Sequence, residues 1–186
     1  NDTGAVVTGA AFTAVGSQSM TVSSLPSGQA VTIYARVNKG SPAIRQKTLE
    51  LDATVAAAVD SDGNGVKFVD MNASDIYEVE SIKQTDSAGA DLSNLFTVDN
   101  GQRDGFYGNG RLVLETGATA PSGNVFCRFK HFTHGQGDFF AVNSYTGQVN
   151  YEDIPDFEIN QRTSVNLRDV IDFRSTHNTS DSFVGS

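Results

Sequence analysis

Asn124-Val125-Phe126-Cys127-Arg128-Phe129-Lys130-His131-Phe132 is the most regular stretch of the chain. On a strand, successive side chains point to opposite faces. Val125, Cys127, Phe129 and His131 then share one face, which reads as the buried one. Asn124, Phe126, Arg128, Lys130 and Phe132 share the other. Working outward, Gly135-Gln136-Gly137 turns into Phe139-Phe140-Ala141-Val142. Upstream, Arg111–Glu115 and Ile76–Ile82 alternate, and Phe96-Thr97-Val98 stops at the turn signal Asp99-Asn100-Gly101. Val66–Val69 follows a Gly63-Asn64-Gly65 turn, and Thr48–Leu51 follows Gly40-Ser41-Pro42. Val6–Thr8, Ala11–Thr13, Met20–Val22 and Val31–Val37 complete the series. Strand and turn recur at intervals of roughly ten residues, the rhythm of a sandwich or barrel. Helical periodicity is nearly absent. The expected fold is all-β: antiparallel β-sandwich modules of immunoglobulin or fibronectin type, with an extended C-terminal segment.

Composition agrees. The 186 residues include 18 Gly and only 4 Pro, with no Trp. That mixture suits many short elements joined by Gly, Asn, Asp and Ser turns. Asp, Ser and Gly concentrate near Ala58–Asn64, which places a boundary there. The expected divisions are a small β domain over 1–58, a β-sandwich over 59–160, and an extended segment over 161–186.

The 13 Lys and Arg stand against 22 Asp and Glu, a net charge of −9. A nucleic-acid binder needs clustered cations to neutralise phosphates, so this balance argues against nucleic acid as a partner. An anionic membrane surface is disfavoured for the same reason, and no apolar run reaches the ~18–20 residues of a membrane helix. The chain opens at Asn1 with no basic-then-apolar leader, which reads as a processed product or a segment of a longer protein. The lone Cys127 cannot form an internal disulfide and fits assembly in a reducing cytosol.

Local chemistry is sparse. Asp60-Ser61-Asp62-Gly63-Asn64-Gly65 matches the first half of a calcium loop, with Asp60, Asp62 and Asn64 as ligands. The acid required at the twelfth position is replaced by Met71, so a turn between strands is the preferred reading, and no metal or other cofactor is expected. His131 and His134 lie three apart, on opposite faces of a strand, which opposes a shared metal. Cys127 and His131 share an apolar face, where a thiol is inert. No Gly-x-Ser-x-Gly turn is present. No enzymatic activity is expected.

Three stretches combine turn residues, Arg–Asp pairs and aromatics: Asn100–Gly108, Gly137–Tyr145 and Leu167–Arg174. Arg with Asp in adjacent loops can form bidentate hydrogen bonds, and aromatics can seal them from water. Arg103, Asp104, Arg168, Asp169, Asp172 and Arg174 are therefore read as a polar clasp. It would hold the C-terminal segment on the sandwich, beside Phe106, Tyr107, Asp138, Phe139, Phe140, Tyr145 and Phe173. The alternative is a set of separate surface pairs contributing under ~1 kcal/mol each. As a clasp residue, Arg103 would matter more to folding than Arg36.

These stretches carry a resemblance. Gly-Gln-Arg-Asp with two aromatics (101–107), Gly-Asp-Phe-Phe-x-Val-x-Ser-Tyr (137–145), Tyr-x-x-Ile-Pro (151–155) and Leu-Arg-Asp-Val-Ile-Asp-Phe-Arg (167–174) occur in order. The set resembles a domain of unassigned function in virion structural proteins of tailed bacteriophages, particularly marine and cyanobacterial ones. Family members often carry Pro after the final Arg, where this chain has Ser175. The resemblance implies a tail, tail-fibre or baseplate protein, located in the virion and assembled in the host cytoplasm. It implies partners among neighbouring tail and baseplate proteins and a homo-oligomer, a trimer ahead of other forms. A second reading is a host-surface carbohydrate-binding module, which would need Tyr107, Tyr145 or Tyr151 facing solvent around a concavity. A third is a glycan-degrading domain, which would need two carboxylates roughly 5–9.5 Å apart in a cleft.

Overall fold

A computed structural model describes residues 11–14, 20–25, 27, 40–160, 163–177 and 183–184. The expected strands Val6–Thr8 and Val31–Val37, Arg36 with them, lie outside the described residues. The chain divides into two compact units, Asn1–Lys39 and Gly40–Ser186. In the first, β1 (Ala11–Ala14) and β2 (Met20–Ser23) form an antiparallel pair.

The second unit is built from short strands and 3-10 turns. β3 (Lys47–Ala58), β4 (Asp60–Ser61), β5 (Lys67–Ser74), β6 (Ile76–Gln84) and β7 (Phe96–Asp99) come first. β8 (Phe106–Tyr107), β9 (Asn109–Leu114) and β10 (Asn124–His134) follow. β11 (Asp156–Asn160), β12 (Thr163–Asn166), β13 (Ser175–His177) and β14 (Phe183–Val184) complete the series. β10 lies between β3 and β6 in one antiparallel sheet; a second antiparallel sheet has the order β4-β5-β9-β7. β11 and β12 form a hairpin, and β13 runs parallel to β8 and antiparallel to β14. The fold is all-β, as expected.

Inner residues of both larger sheets meet in one cluster. Val69 and Met71 of β5 and Leu112 and Leu114 of β9 pack with Ile82 of β6 and Val125, Cys127 and Phe129 of β10. Burying each large side chain contributes about 1.5–3 kcal/mol, so this cluster is the main favourable term. Burial also pushes the Cys127 thiol up to about 12, which keeps it protonated and unreactive.

Two expectations require correction. The boundary expected at 58 is absent: Lys47–Ala58 is β3, paired with β10 from Asn124↔Ala58 to His134↔Lys47. Its partner lies some seventy residues downstream, and a local rise in Asp and Gly marks only the turn that leads out of it. The division falls at Lys39/Gly40 instead. The second correction concerns β10. Its pairing slips between Phe129 and His131, so the alternation reverses there. Val125, Cys127 and Phe129 are buried, but beyond the slip Phe132 takes the inner position in place of His131. A bulge inserts an extra residue and flips every later side chain.

The reversal has a use. Phe132 joins a second cluster with Tyr145, Ile154 and Leu167, and His134 turns inward beside it. The Phe132 amide donates to the carbonyl of Asp75 at 3.0 Å. Asp75 joins β5 to β6 with φ 54° and is only 1% exposed. A non-glycine residue in that region stores strain, although Asp tolerates it better than most.

Gly101 has a clear steric reason. Its φ is +83°, and a Cβ there would lie 2.2 Å from the Gly108 carbonyl oxygen. Gly101→Ala is expected to cost about 2–4 kcal/mol in urea unfolding, with Gly63→Ala, where nothing lies within 4 Å, changing stability by less than ~0.5 kcal/mol. Equal midpoints for the two variants would contradict this packing.

Candidate functional site

β3, the β5–β6 junction, β8, the end of β10 and the segment entering β13 converge on one buried polar centre. Lys47 Nζ, fully buried, donates to Asp75 Oδ2 at 2.6 Å and to the Tyr107 hydroxyl at 3.2 Å. Tyr107 donates in turn to Asp172 Oδ2 at 2.6 Å. Arg174 grips both Asp172 oxygens, with Nε 3.0 Å from Oδ1 and Nη2 2.8 Å from Oδ2. Its Nη2 also reaches the Tyr107 hydroxyl at 2.9 Å, and its Nη1 reaches Gln102 Oε1 and the Arg103 carbonyl, each at 3.2 Å. Gln102 Nε2 closes the circuit by donating to Asp75 Oδ1 at 3.3 Å. His134 Nε2 lies 2.8 Å from Asp75 Oδ2, and Nδ1 lies 2.6 Å from Thr176 Oγ1.

Aromatic rings enclose the cations. Lys47 Nζ lies 4.4 Å from the Tyr107 ring centre, 4.7 Å from Phe140 and 4.8 Å from Tyr145. The Arg174 guanidinium lies 4.3 Å from both the Tyr107 and Phe157 rings. Ring faces attract cations, and more strongly where water is excluded. Lys47 and Arg174 are each hydrogen-bonded to a carboxylate, Asp75 and Asp172, as a dry interior demands, and buried Arg45 lies beyond them against the Phe140 ring at 5.1 Å.

Proton affinities follow from the burial. Desolvation drives Tyr107 and Tyr145 far above their ordinary values, so both stay protonated. Desolvation also pushes Asp75 upward, but the Lys47 ammonium and His134 outweigh it and hold the carboxyl at about 2. Burial lowers Lys47 and His134, against the pull of Asp75 in each case. His134 is therefore neutral: Nε2–H donates to Asp75 and Nδ1 accepts from Thr176.

Of the expected clasp residues, the structure brings Tyr107, Tyr145, Asp172 and Arg174 into this centre. Arg103 contributes its carbonyl; its guanidinium forms a half-exposed bidentate pair with Asp99 at 2.7 and 2.8 Å. Asp104 is exposed, and Phe106 is half-buried on β8. Asp138 Oδ2 accepts the Ala43 amide at 2.8 Å, and the Phe139 ring meets Phe173 at 5.9 Å. Arg168 and Asp169 form a separate exposed group around Tyr151, whose hydroxyl donates to Asp169 at 2.8 Å while Arg168 covers its ring at 5.2 Å. Asp62 Oδ1 accepts the amides of Asn64 and Val66, each at 2.9 Å, and Asp60 Oδ1 accepts Ser61 at 2.8 Å, so both act as turn formers. Among the described residues no group of three or more His, Cys, Asp or Glu is arranged to hold a metal ion.

Sequence reasoning placed Phe140 beside the clasp but missed Lys47, Asp75, Gln102 and His134 as members of it. Lys47 opens an ordinary alternating strand, and Asp75 sits in a Ser-Asp pair that reads as a turn. Gln102 lies inside a recognised motif, so it alone carried a usable signal. No match was found to known protein families, to curated proteins or to solved structures.

Removing one member of a buried pair strands its partner, which costs about 3–5 kcal/mol. Arg174→Met is expected to lose that much, and Arg103→Ala less than ~1 kcal/mol because its pair is solvent-screened; guanidinium unfolding compares them. His134 gives a pH test. Its folded proton affinity lies below the unfolded value of 6.5, so the neutral form favours folding. That contribution is present above 6.5 and is lost as pH falls through the folded value. The melting temperature should therefore fall on acidification below 6.5, and His134→Gln should flatten that limb.

Proposed function

We propose that this chain is a structural and interaction module of a tailed-phage tail, tail-fibre or baseplate protein, working through oligomeric packing and docking to neighbouring virion proteins. The buried centre carries the reading. Its cations, carboxylates and tyrosine hydroxyls are turned toward one another, and they fix Gln102, β8 and the segment around Arg174 against β3 and β10. That arrangement spends its interactions on shape. The four ordered motifs that resemble the phage domain supply the residues of the centre or pack around it: Gln102 and Tyr107, Phe140 and Tyr145, Ile154, and Asp172 with Arg174. Exposed apolar side chains follow on the same C-terminal segment, Ile171 at 59% and Phe173 at 73% exposed, and these suit contact with a neighbour. An immunoglobulin- or fibronectin-like sandwich form of the two larger sheets belongs to the same reading. The carbohydrate reading asked Tyr107, Tyr145 or Tyr151 to face solvent around a concavity; Tyr107 and Tyr145 are buried, with 0% and 2% exposed, and Tyr151 alone of the three is exposed, its ring covered on one face by Arg168.

Mass spectrometry of purified particles from the phage encoding this chain, followed by reconstruction, tests the reading. The expected result is the chain in the virion, with density for this domain in the tail. Absence from particles, or release of sugars from host polysaccharide by the purified chain, would overturn it.

A further inference from the structure

The contact between Lys47 and Asp75 differs from an ordinary buried ion pair in what surrounds it. The nucleophile, electrophile, oxyanion donor and proton acceptor of an amide-forming reaction are all present around a single carboxyl group. We propose that Lys47 Nζ and Asp75 Cγ join in a side-chain amide, a covalent bond the protein makes in itself as it folds. This stands on the centre's geometry and not on where the protein resides.

The attacking atom is Lys47 Nζ, 2.6 Å from Asp75 Oδ2 with both side chains out of water. Such placement replaces an encounter between two molecules by a fixed approach, the largest advantage available to a bond-forming step. Dry surroundings lower the proton affinity of Lys47 and so ease release of its proton along this short hydrogen bond; Asp75, which Lys47 and His134 hold as a carboxylate, takes that proton up only transiently, as the amine forms. Asp75 Oδ1 accepts from Gln102 Nε2 at 3.3 Å, the position from which a donor steadies an oxyanion. Asp75 Oδ2, the oxygen that must leave, accepts from neutral His134 at 2.8 Å. Behind the nitrogen, the Tyr107 hydroxyl at 3.2 Å leads to Asp172 at 2.6 Å, a pair placed to stabilise positive charge on that nitrogen. The Asp75 backbone is held at φ 54°, a strained conformation of the kind that persists where the surrounding structure imposes it.

The step balances without any other reactant. One proton passes from Nζ to Oδ2, leaving an amine and an acid. The nitrogen lone pair bonds to Cγ, and the carbonyl pair moves onto Oδ1, toward Gln102. The adduct nitrogen sheds a second proton onto Oδ2, the oxygen it already faces at 2.6 Å, while Tyr107 and Asp172 stabilise the positive charge on the nitrogen until that proton leaves. The Cγ–Oδ2 bond breaks and that oxygen leaves as water. An ammonium and a carboxylate become an amide and one water, with no change in oxidation state. The product ties the start of β3 to the β5–β6 junction, and removes two opposite charges from the interior.

Intact mass spectrometry of the purified, folded chain under denaturing conditions reads the result directly. The expected mass is one water below that of the sequence. Proteolysis should yield a branched peptide joining the Lys47 and Asp75 fragments, absent from Lys47→Met. Cyclic imides at Asp62-Gly63 or Asp104-Gly105 also lose water, but hydroxylamine cleaves an imide and leaves a side-chain amide intact. Full sequence mass after prolonged incubation of the folded chain would overturn the proposal. So would a water loss that maps to an Asp-Gly step. Peptide mapping of the wild-type chain decides the matter even if Lys47→Met does not fold.

Discussion

A lysine and an aspartate that meet without water constrain everything around them. Neither charge can be left unmatched in that interior, so each neighbour is either a partner or a seal. Asp75 needs Lys47, Gln102 and His134 together; Lys47 needs the hydroxyl of Tyr107 and the faces of the rings. Tyr107 is shared between both halves, receiving from Lys47 and Arg174 and donating to Asp172. The centre is therefore one electrostatic object. Taking out any member exposes the others to an uncompensated desolvation cost.

The bulge in β10 makes this centre reachable. Before it, the strand directs Val125, Cys127 and Phe129 into the apolar cluster between the two larger sheets. After it, the strand directs Phe132 and His134 toward the polar centre. One strand thus serves two interiors of different chemistry. Without the slip, His131 would occupy the inner position and His134 would face away, leaving Asp75 short of a donor. The outer face of the same strand is ordinary by comparison: Lys130 pairs with Glu78 at 2.7 Å and Arg128 with Glu80 at 2.8 Å, both solvent-screened.

The C-terminal segment is held by the same logic. Phe140 and Asp172 exchange backbone hydrogen bonds of 2.8 and 2.9 Å, Ser175 and Thr176 run beside β8, and Arg174 reaches into the loop at Gln102. Ile171 and Phe173, alternating with buried Asp172 and Arg174, are left facing outward. An extended strand cannot bury one side without presenting the other. A segment locked on its polar side and apolar on its outer side is suited to receiving a further surface, which is the role proposed for this protein.

Period-two alternation, turn chemistry and the scarcity of helical patterning determined the all-β class, because those signals are local and each strand carries its own. The inclusion of Asp172 and Arg174 in a clasp was also legible, since the two lie close together and beside aromatics. Tertiary structure alone decided that Lys47–Ala58 belongs with β10, that Arg103 stays half-exposed beside Asp99, and that Lys47 and Asp75 meet. Long-range register and a one-residue bulge have no local signature. The charge of a residue in sequence says nothing of the solvent it will keep, and the chemistry at this centre arises from the loss of that solvent.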